Sequence, residues 1–235
     1  MAKILNIETS TRVCSVALSI DGKVVAIEES HTQNSHAEQV TLFCGKVIKE
    51  CGLTFKDLDA VAVSKGPGSY TGLRIGVSTA KGLCYGLEIP LISVSTLLSM
   101  ALGINSNTTI EKDANTIICP MIDARRMEVY TALYSQQLED IEPIEAKIID
   151  EDSFKSYLEN NNVIFGGDGA EKCKEALSES PNAIFLDDFH TSAAYLSQLA
   201  ESKFNKGDFE NTAYFEPYYL KDFVAGIPKV KGLRM

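Results

Sequence analysis

Lys65-Gly66-Pro67-Gly68-Ser69-Tyr70-Thr71-Gly72-Leu73-Arg74 is the stretch whose reading organises the rest of the chain. Ahead of it, Asp59-Ala60-Val61-Ala62-Val63-Ser64 is short and apolar, the pattern of a buried strand. Behind it, Leu73 to Leu87 reads as a helix. The stretch is therefore a strand-to-helix loop rich in glycine. Such a loop can bring bare backbone N–H groups of Gly66, Gly68 and Ser69 against an anion at a helix N-terminus. It can equally be a tight corner whose glycines let the helix lie close to its neighbours. It lacks the Gly-Lys-Ser/Thr ending of a P-loop.

The helix that follows carries Gly72, Gly76, Gly82 and Gly86, with Ser78, Thr79 and Ala80 between. An interior glycine costs about 1 kcal/mol relative to alanine, so close backbone approach has to offset the loss. Gly72-Gly76-Ala80 and Ser78-Gly82-Gly86 form two small-residue stripes on different faces, and only Arg74 and Lys81 are charged. One face can pack on its own sheet and the other on a second helix or a second protein.

The chain has 235 residues, 45% of them hydrophobic, enough for one large or two small domains. No apolar run reaches the length of a membrane span, and the six-residue run before Glu8 does not read as a signal peptide. A cytoplasmic location is expected. Cys14, Cys44, Cys51, Cys84, Cys119 and Cys173 are scattered, with no Cys-x-x-Cys pair, and read as reduced core residues. The net charge of −10 argues against a chain that itself neutralises nucleic-acid phosphates. Its one basic cluster is the tail Lys229-Val230-Lys231-Gly232-Leu233-Arg234.

Lys3–Glu8, Val13–Ile20 and Lys23–Glu29 read as three antiparallel strands, with Asp21-Gly22 as a hairpin turn. The turn Glu8-Thr9-Ser10 suits a phosphate, a metal or a hydrogen-bonded corner. Ser35-His36-Ala37-Glu38 is a capping box, and Val40, Phe43, Cys44, Val47, Ile48 and Cys51 make one apolar face of the helix it opens. Gly52 closes that helix. His31, His36 and His190 read as solvent-facing or capping residues rather than metal ligands. Ile89–Val94 is a strand, and Leu97–Leu102 is a short helix ended by Gly103. Polar Asn105–Asn115 marks the boundary between two halves, 1–104 and 105–235. The second half repeats the theme: strands Thr116–Ile122, Glu128–Leu133 and Ile144–Ile149, a helix to Leu158, and strand Val163–Phe165. That last strand runs into a second Gly-rich loop at Gly166-Gly167-Asp168-Gly169. The turn Asp123-Ala124-Arg125-Arg126 reads as a corner held by an Asp side chain. Ala183–Leu186 is strand-like and Ser192–Phe204 is a helix stopped by Gly207. Tyr214, Phe215, Tyr218 and Tyr219 read as a packing plug, and the tail could pack back on the first half.

Two halves of mixed strands, each with a Gly-rich loop, resemble the actin-like ATPase (ASKHA) fold. That is an α/β class with two lobes, each a mixed five-stranded sheet flanked by helices. Gly66 to Gly76, Ile89 to Leu97, Ile122 to Tyr130, Ser35 to Glu38 and Pro217 to Leu220 resemble the motifs of the bacterial TsaB (YeaZ) family. The resemblance implies a part in synthesis of threonylcarbamoyladenosine, beside the anticodon of tRNAs that read codons beginning with A. It implies a non-catalytic companion of the transferase TsaD, joined by the ATPase TsaE and able to form a homodimer without TsaD. It places ATP and metal on TsaD, no cofactor and no metal on this chain, and tRNA contact through the partner. TsaD carries a His-x-x-x-His metal pair where this chain has Thr96 and Met100, neither a substitute for imidazole. Glu8, Thr9, Ser10, Gly66, Gly68, Ser69, Gly166 and Gly167 would be vestigial phosphate loops. The partner interface expected from this reading comprises Val40, Phe43, Cys44 and Val47 of the first helix with Tyr70, Leu73, Gly76, Val77, Ala80 and Lys81 of the second. Gly76→Leu is then expected to leave a folded monomer that binds no partner. A competing reading is a nucleotide-dependent phosphotransferase or ATPase using both Gly-rich loops. A peptidase would need a metal pair or activated nucleophile, and the sequence offers neither.

Overall fold

The computed structural model describes residues 1–32, 36–108 and 115–221. Its first sheet opens with β1 (Lys3–Glu8), β2 (Cys14–Ile20) and β3 (Lys23–Ser30), an antiparallel meander. Asp21 and Gly22 both take positive φ, the geometry of a two-residue hairpin turn. Then come α1 (His36–Glu50), β4 (Ala60–Gly66), α2 (Tyr70–Leu87) and β5 (Leu91–Ser95). β4 pairs with β1, and β5 with β4, both parallel, giving the order β3-β2-β1-β4-β5.

The second sheet repeats this wiring. α3 (Thr96–Asn107) leads to the antiparallel β6 (Thr116–Asp123), β7 (Glu128–Ser135) and β8 (Asp140–Ile148). Two single turns, α4 (Lys155–Leu158) and α5 (Lys174–Leu177), flank the parallel β9 (Asn162–Gly166), and β10 (Ala183–Leu186) closes the order β10-β9-β6-β7-β8. The one-turn helices explain why this half looks looser in sequence. A 3₁₀ turn and α6 (Ser197–Lys206) follow, stopped by Gly207 at φ +67.

Strand alternation sends neighbouring residues to opposite faces. Leu5, Ile7, Val61 and Val63 face α1 and α2, which contribute Val40, Phe43, Cys44, Val47, Val77, Ala80 and Cys84. Ile4, Ala60, Ala62, Ile92 and Val94 face the other way, onto Leu196 and Ala200 around α6. In the second sheet Ile118, Ile122, Ala132 and Ile164 face Leu97, Met100, Ala101 and Ile104 of α3. Each sheet thus takes a helix from across the chain's midpoint. This corrects the boundary at 104/105. α3 continues unbroken through Gly103 to Asn107, and its apolar face packs on the second sheet. Gly103 is no helix stop; it leaves room for a ring. A Cβ there would lie 2.6 Å from Tyr195 and 2.9 Å from Phe189.

Other expectations shift locally. α2 begins at Tyr70, three residues before Leu73, because the Ser69 hydroxyl caps it by accepting from Gly72 N at 3.2 Å. Ser35 of the capping box, and the tail beyond Lys221, lie outside the described residues. His36 is buried rather than solvent-facing, its Nε2 3.0 Å from Thr11 O. His31 and His190 meet, with ring centroids 5.0 Å apart. Of the supposed plug, Phe215 packs on the first core but Tyr214 is exposed.

Candidate functional site

The space around the glycines of the Gly-rich loop shows how closely that loop is packed. A side chain on Gly68 would collide with Ser10 O, one on Gly72 with Thr9 O, and one on Gly76 with the Thr9 hydroxyl. The first half of α2 therefore lies directly against the β1–β2 turn. Thr9 Oγ1 donates to Gly72 O at 2.8 Å, and Ser69 N donates to Ser10 O at 2.6 Å. Gly66, at φ +110, is covered by Tyr218 O, which a Cβ would meet at 2.6 Å. In the second loop Gly166 faces Ile104, and Gly167, at φ +120, faces Met121 O. These glycines accommodate the chain's own backbone and side chains. Gly68 and Ser69, with Ser10, also line a cleft.

The turn Glu8-Thr9-Ser10 is likewise a hydrogen-bonded corner. Glu8 is fully buried, and its Oε1 accepts from Ser10 N at 2.6 Å and Ser64 Oγ at 2.9 Å. Burial pushes its carboxyl above the ordinary value, against the pull of those hydrogen bonds. Between the lobes lies a cleft of about 830 Å³, whose lining includes Ser10, Arg12, Ser69, Tyr70, Asp123, Arg125, Asp168 and Lys221. Asp123 accepts from Lys172 Nζ at 2.5 Å and from Arg125 N at 2.9 Å. Burial alone would raise its pKa, but the ammonium and the N–H hold it low. Asp168 is raised, first by burial and also by neighbouring Asp123, while it accepts from Asp123 N at 3.0 Å. Both carboxylates hold the second-lobe corner together, as the sequence suggested for Asp123. Among the described residues no group of three metal-binding side chains gathers. Thr96 and Met100 are buried in the α3 region. All six cysteines are free, and burial lifts the thiols of Cys44 and Cys119 to about 12, far from a thiolate nucleophile.

The interface residues expected from sequence need a larger correction. Val40, Phe43, Cys44 and Val47, and Leu73, Gly76, Val77 and Ala80, are all buried. They form the inward faces of α1 and α2, where a partner cannot reach them. Tyr70 lies under the ring of Tyr219 at 4.9 Å. Lys81 is turned along the helix flank, its ammonium bonded to the carbonyls of Ala213 and Phe215. The opposite faces are open. On α1 they show Leu42, 63% exposed, with Lys46 and Lys49; on α2, Ser78, Gly82, Gly86 and Tyr85, the last 85% exposed. Among the described residues, a Cβ on Gly45, Gly82 or Gly86 meets nothing within 4 Å. The sequence signal for this face was the second stripe, Ser78-Gly82-Gly86. Apolar periodicity pointed to the wrong side because it marks burial in the chain's own core. Among the described residues no helix is long and apolar enough to cross a membrane.

Two mixed five-stranded sheets of identical order, with helices on their faces and a cleft between, define a two-lobed α/β protein of the actin-like class. The solved structures of YeaZ from Pseudomonas aeruginosa and of an uncharacterized protein with similarity to peptidase YEAZ from Pseudomonas aeruginosa share this fold, each with a TM-score of 0.80 at 23% identity, over 94% of this chain and 100% of theirs. The family model described as "TsaD: tRNA N6-adenosine threonylcarbamoyltransferase" matches residues 26–229. The chain belongs to that family, within its TsaB (YeaZ) branch. The "tRNA threonylcarbamoyladenosine biosynthesis protein TsaB" of Haemophilus influenzae is 27% identical over 94% of both chains. That of Escherichia coli is 40% identical over 57% of this chain and 55% of its own length. The Bacillus subtilis tRNA N6-adenosine threonylcarbamoyltransferase is 37% identical over 39% of this chain and 31% of its own.

Proposed function

We propose that this chain is a non-catalytic companion of a TsaD-type transferase in threonylcarbamoyladenosine formation. It docks through the outward faces of α1 and α2. The observation that carries the reading is the open second half of α2. Gly82 and Gly86 keep a helix surface bare of any other described residue, beside an exposed tyrosine. Bare helix surfaces allow close helix–helix approach, and tyrosine is a frequent interface anchor. An interface of standard size buries about 1,600 Å² in total. Binding of the competent arrangement of the transferase would shift that partner toward activity. The carboxylates that line the cleft support the companion role: Asp123 and Asp168 are engaged in holding turns. ATP, metal and tRNA contacts fall to the partner, with TsaE as the third component. Without the partner, two copies would meet through the same faces.

The test is co-expression with the TsaD-type protein of the same organism, followed by size analysis and a transfer assay. The pair is expected to co-elute and to modify tRNA only together. Gly82→Leu, at an open position, and Tyr85→Ala should each weaken association about tenfold or more without loss of fold. Ile148→Ala, an exposed site on β8, should not. Co-elution of Gly82→Leu at wild-type strength would overturn the docking face. Brisk ATP turnover by the isolated chain would overturn the companion role and favour an actin-like ATPase.

A further inference from the structure

The covalent chain passes between the two lobes at Ser95–Thr96, where β5 enters α3, and again between β10 and Ala193. The two crossings are packed on each other. Phe189 stacks on Tyr195 at 5.6 Å, both lie against Gly103, and Asn107 Nδ2 donates to Tyr195 OH at 3.1 Å. They form one side of the lobe junction.

A third connection runs along the cleft itself. After α6 the chain crosses the edge of the first sheet, where Glu210 N donates to Leu91 O at 2.8 Å and Ser93 Oγ to the Glu210 carboxylate at 2.5 Å. It continues over α2. There Lys81 Nζ donates to Phe215 O at 2.9 Å and Ala213 O at 3.2 Å. Tyr218 N then donates to Lys65 O at 2.7 Å, and its own carbonyl lies over Gly66. Tyr219 rests on Tyr70, whose ring also meets the Arg74 guanidinium, 5.1 Å from its centre. Finally Lys221 reaches the second lobe and pairs with Glu128 of β7 at 2.5 Å. Among the described residues the segment is thus fixed to the first lobe at several points and reaches the second through the Lys221–Glu128 ion pair. That pair is partly open to solvent, at 46% and 22% exposure of its side chains.

We propose that Glu210–Lys221 is a clasp that sets the opening between the lobes, anchored on α2 by Lys81 and caught on β7 by the Lys221–Glu128 pair. A partly exposed pair is a releasable catch: it is modest in strength and weakened by salt. The anchor lies on the helix that also carries Gly82 and Tyr85, so docking on α2 and opening of the cleft become linked. That link rests on the proposed docking face, whereas the clasp itself does not.

Hydrogen exchange and residual dipolar couplings on the isolated, isotope-labelled chain test the clasp without any partner. Glu128→Gln, with Lys221→Met as an independent second variant, should speed exchange of the Tyr218 amide about threefold, the effect expected of such a pair. Lys81→Met, which removes two carbonyl contacts, should speed it about tenfold. In all three the couplings of the two lobes should cease to fit one rigid body, as should those of the wild type at high salt. Wild-type Tyr218 exchange in Glu128→Gln and Lys221→Met would overturn the catch. Faster exchange with lobes still fitting one rigid orientation would overturn the clasp and leave the segment as packing alone.

Discussion

Gly72 and Gly76 in the first half of α2, and Gly82 and Gly86 in the second, are the same residue in one helix. A methyl group at Gly72 or Gly76 would strike Thr9, whereas at Gly82 or Gly86 it meets nothing within 4 Å. The first pair bring the helix onto the β1–β2 turn and thereby fix the Gly-rich corner. The second pair leave a bare surface that no other described residue uses. A glycine's cost in helix stability is the same at both ends, so the offset differs: internal packing at one, and at the other a contact still to be made. This difference separates stability from binding, and substitutions can treat the two ends independently.

Gly76→Leu, expected from the sequence to leave a folded monomer, should instead have the largest effect on folding. The side chain has no space beside the buried Thr9, and overpacking of that size displaces backbone. The protein is expected to be insoluble or to melt at least about 10 °C lower, the equivalent of some 3 kcal/mol or more for a chain of this length. Differential scanning calorimetry checks it. A variant that melts like the wild type would mean that α2 does not seat on the turn. Gly103→Ala probes the lobe junction in the same way. The obstacle is an aromatic ring at 2.6 Å, which can shift, so a loss of about 1–3 kcal/mol is expected. Gly82→Ala reverses the sign. In open space, alanine should raise stability by about 1 kcal/mol, or about 2–4 °C in melting temperature. A fall instead would show that the outer face is already occupied.

The architecture was legible because its signals are local. Alternation in Val13–Ile20, the Asp21-Gly22 turn and the 3.6-residue apolar face of α1 each report one element. The assignment of faces was not legible. Val40, Phe43 and Val47 look sticky in sequence whether their neighbour is a partner or their own sheet, and only the fold shows Leu5, Ile7 and Val63 against them. Glycine spacing had the same ambiguity: Gly72-Gly76 and Gly82-Gly86 are alike as letters and differ only in what faces them. The helix exchange between lobes was hidden as well. Gly103 resembles a helix end, while its use is to admit Tyr195 from ninety residues further on. The tail segment over α2 depends on Lys81 bonding to carbonyls, and carbonyls have no letter in the sequence.

The mildest substitution examines the corner beneath Gly68 and Gly72. Glu8 has one oxygen bonded to Ser10 N and Ser64 Oγ and the other buried without a partner. Burial raises its pKa in the folded state above the ordinary value near 4.5. Below that value folded and unfolded chains both hold the proton, and Glu8 makes its full contribution. As pH rises, the unfolded chain releases its proton first, so the contribution declines until the folded value is passed. Glu8→Gln has no proton to lose, and its amide oxygen can still accept from Ser10 and Ser64. The variant should therefore gain on the wild type as pH increases from 4 to 8, by on the order of a few degrees in melting temperature. If Glu8 instead served as an ionised ligand for a cation, the charge would be needed, and metal addition at pH 8 would stabilise the wild type but not Glu8→Gln. Parallel melting curves with and without a divalent cation distinguish a structural corner from a site, at the point where the inner glycines of α2 meet the rest of the lobe.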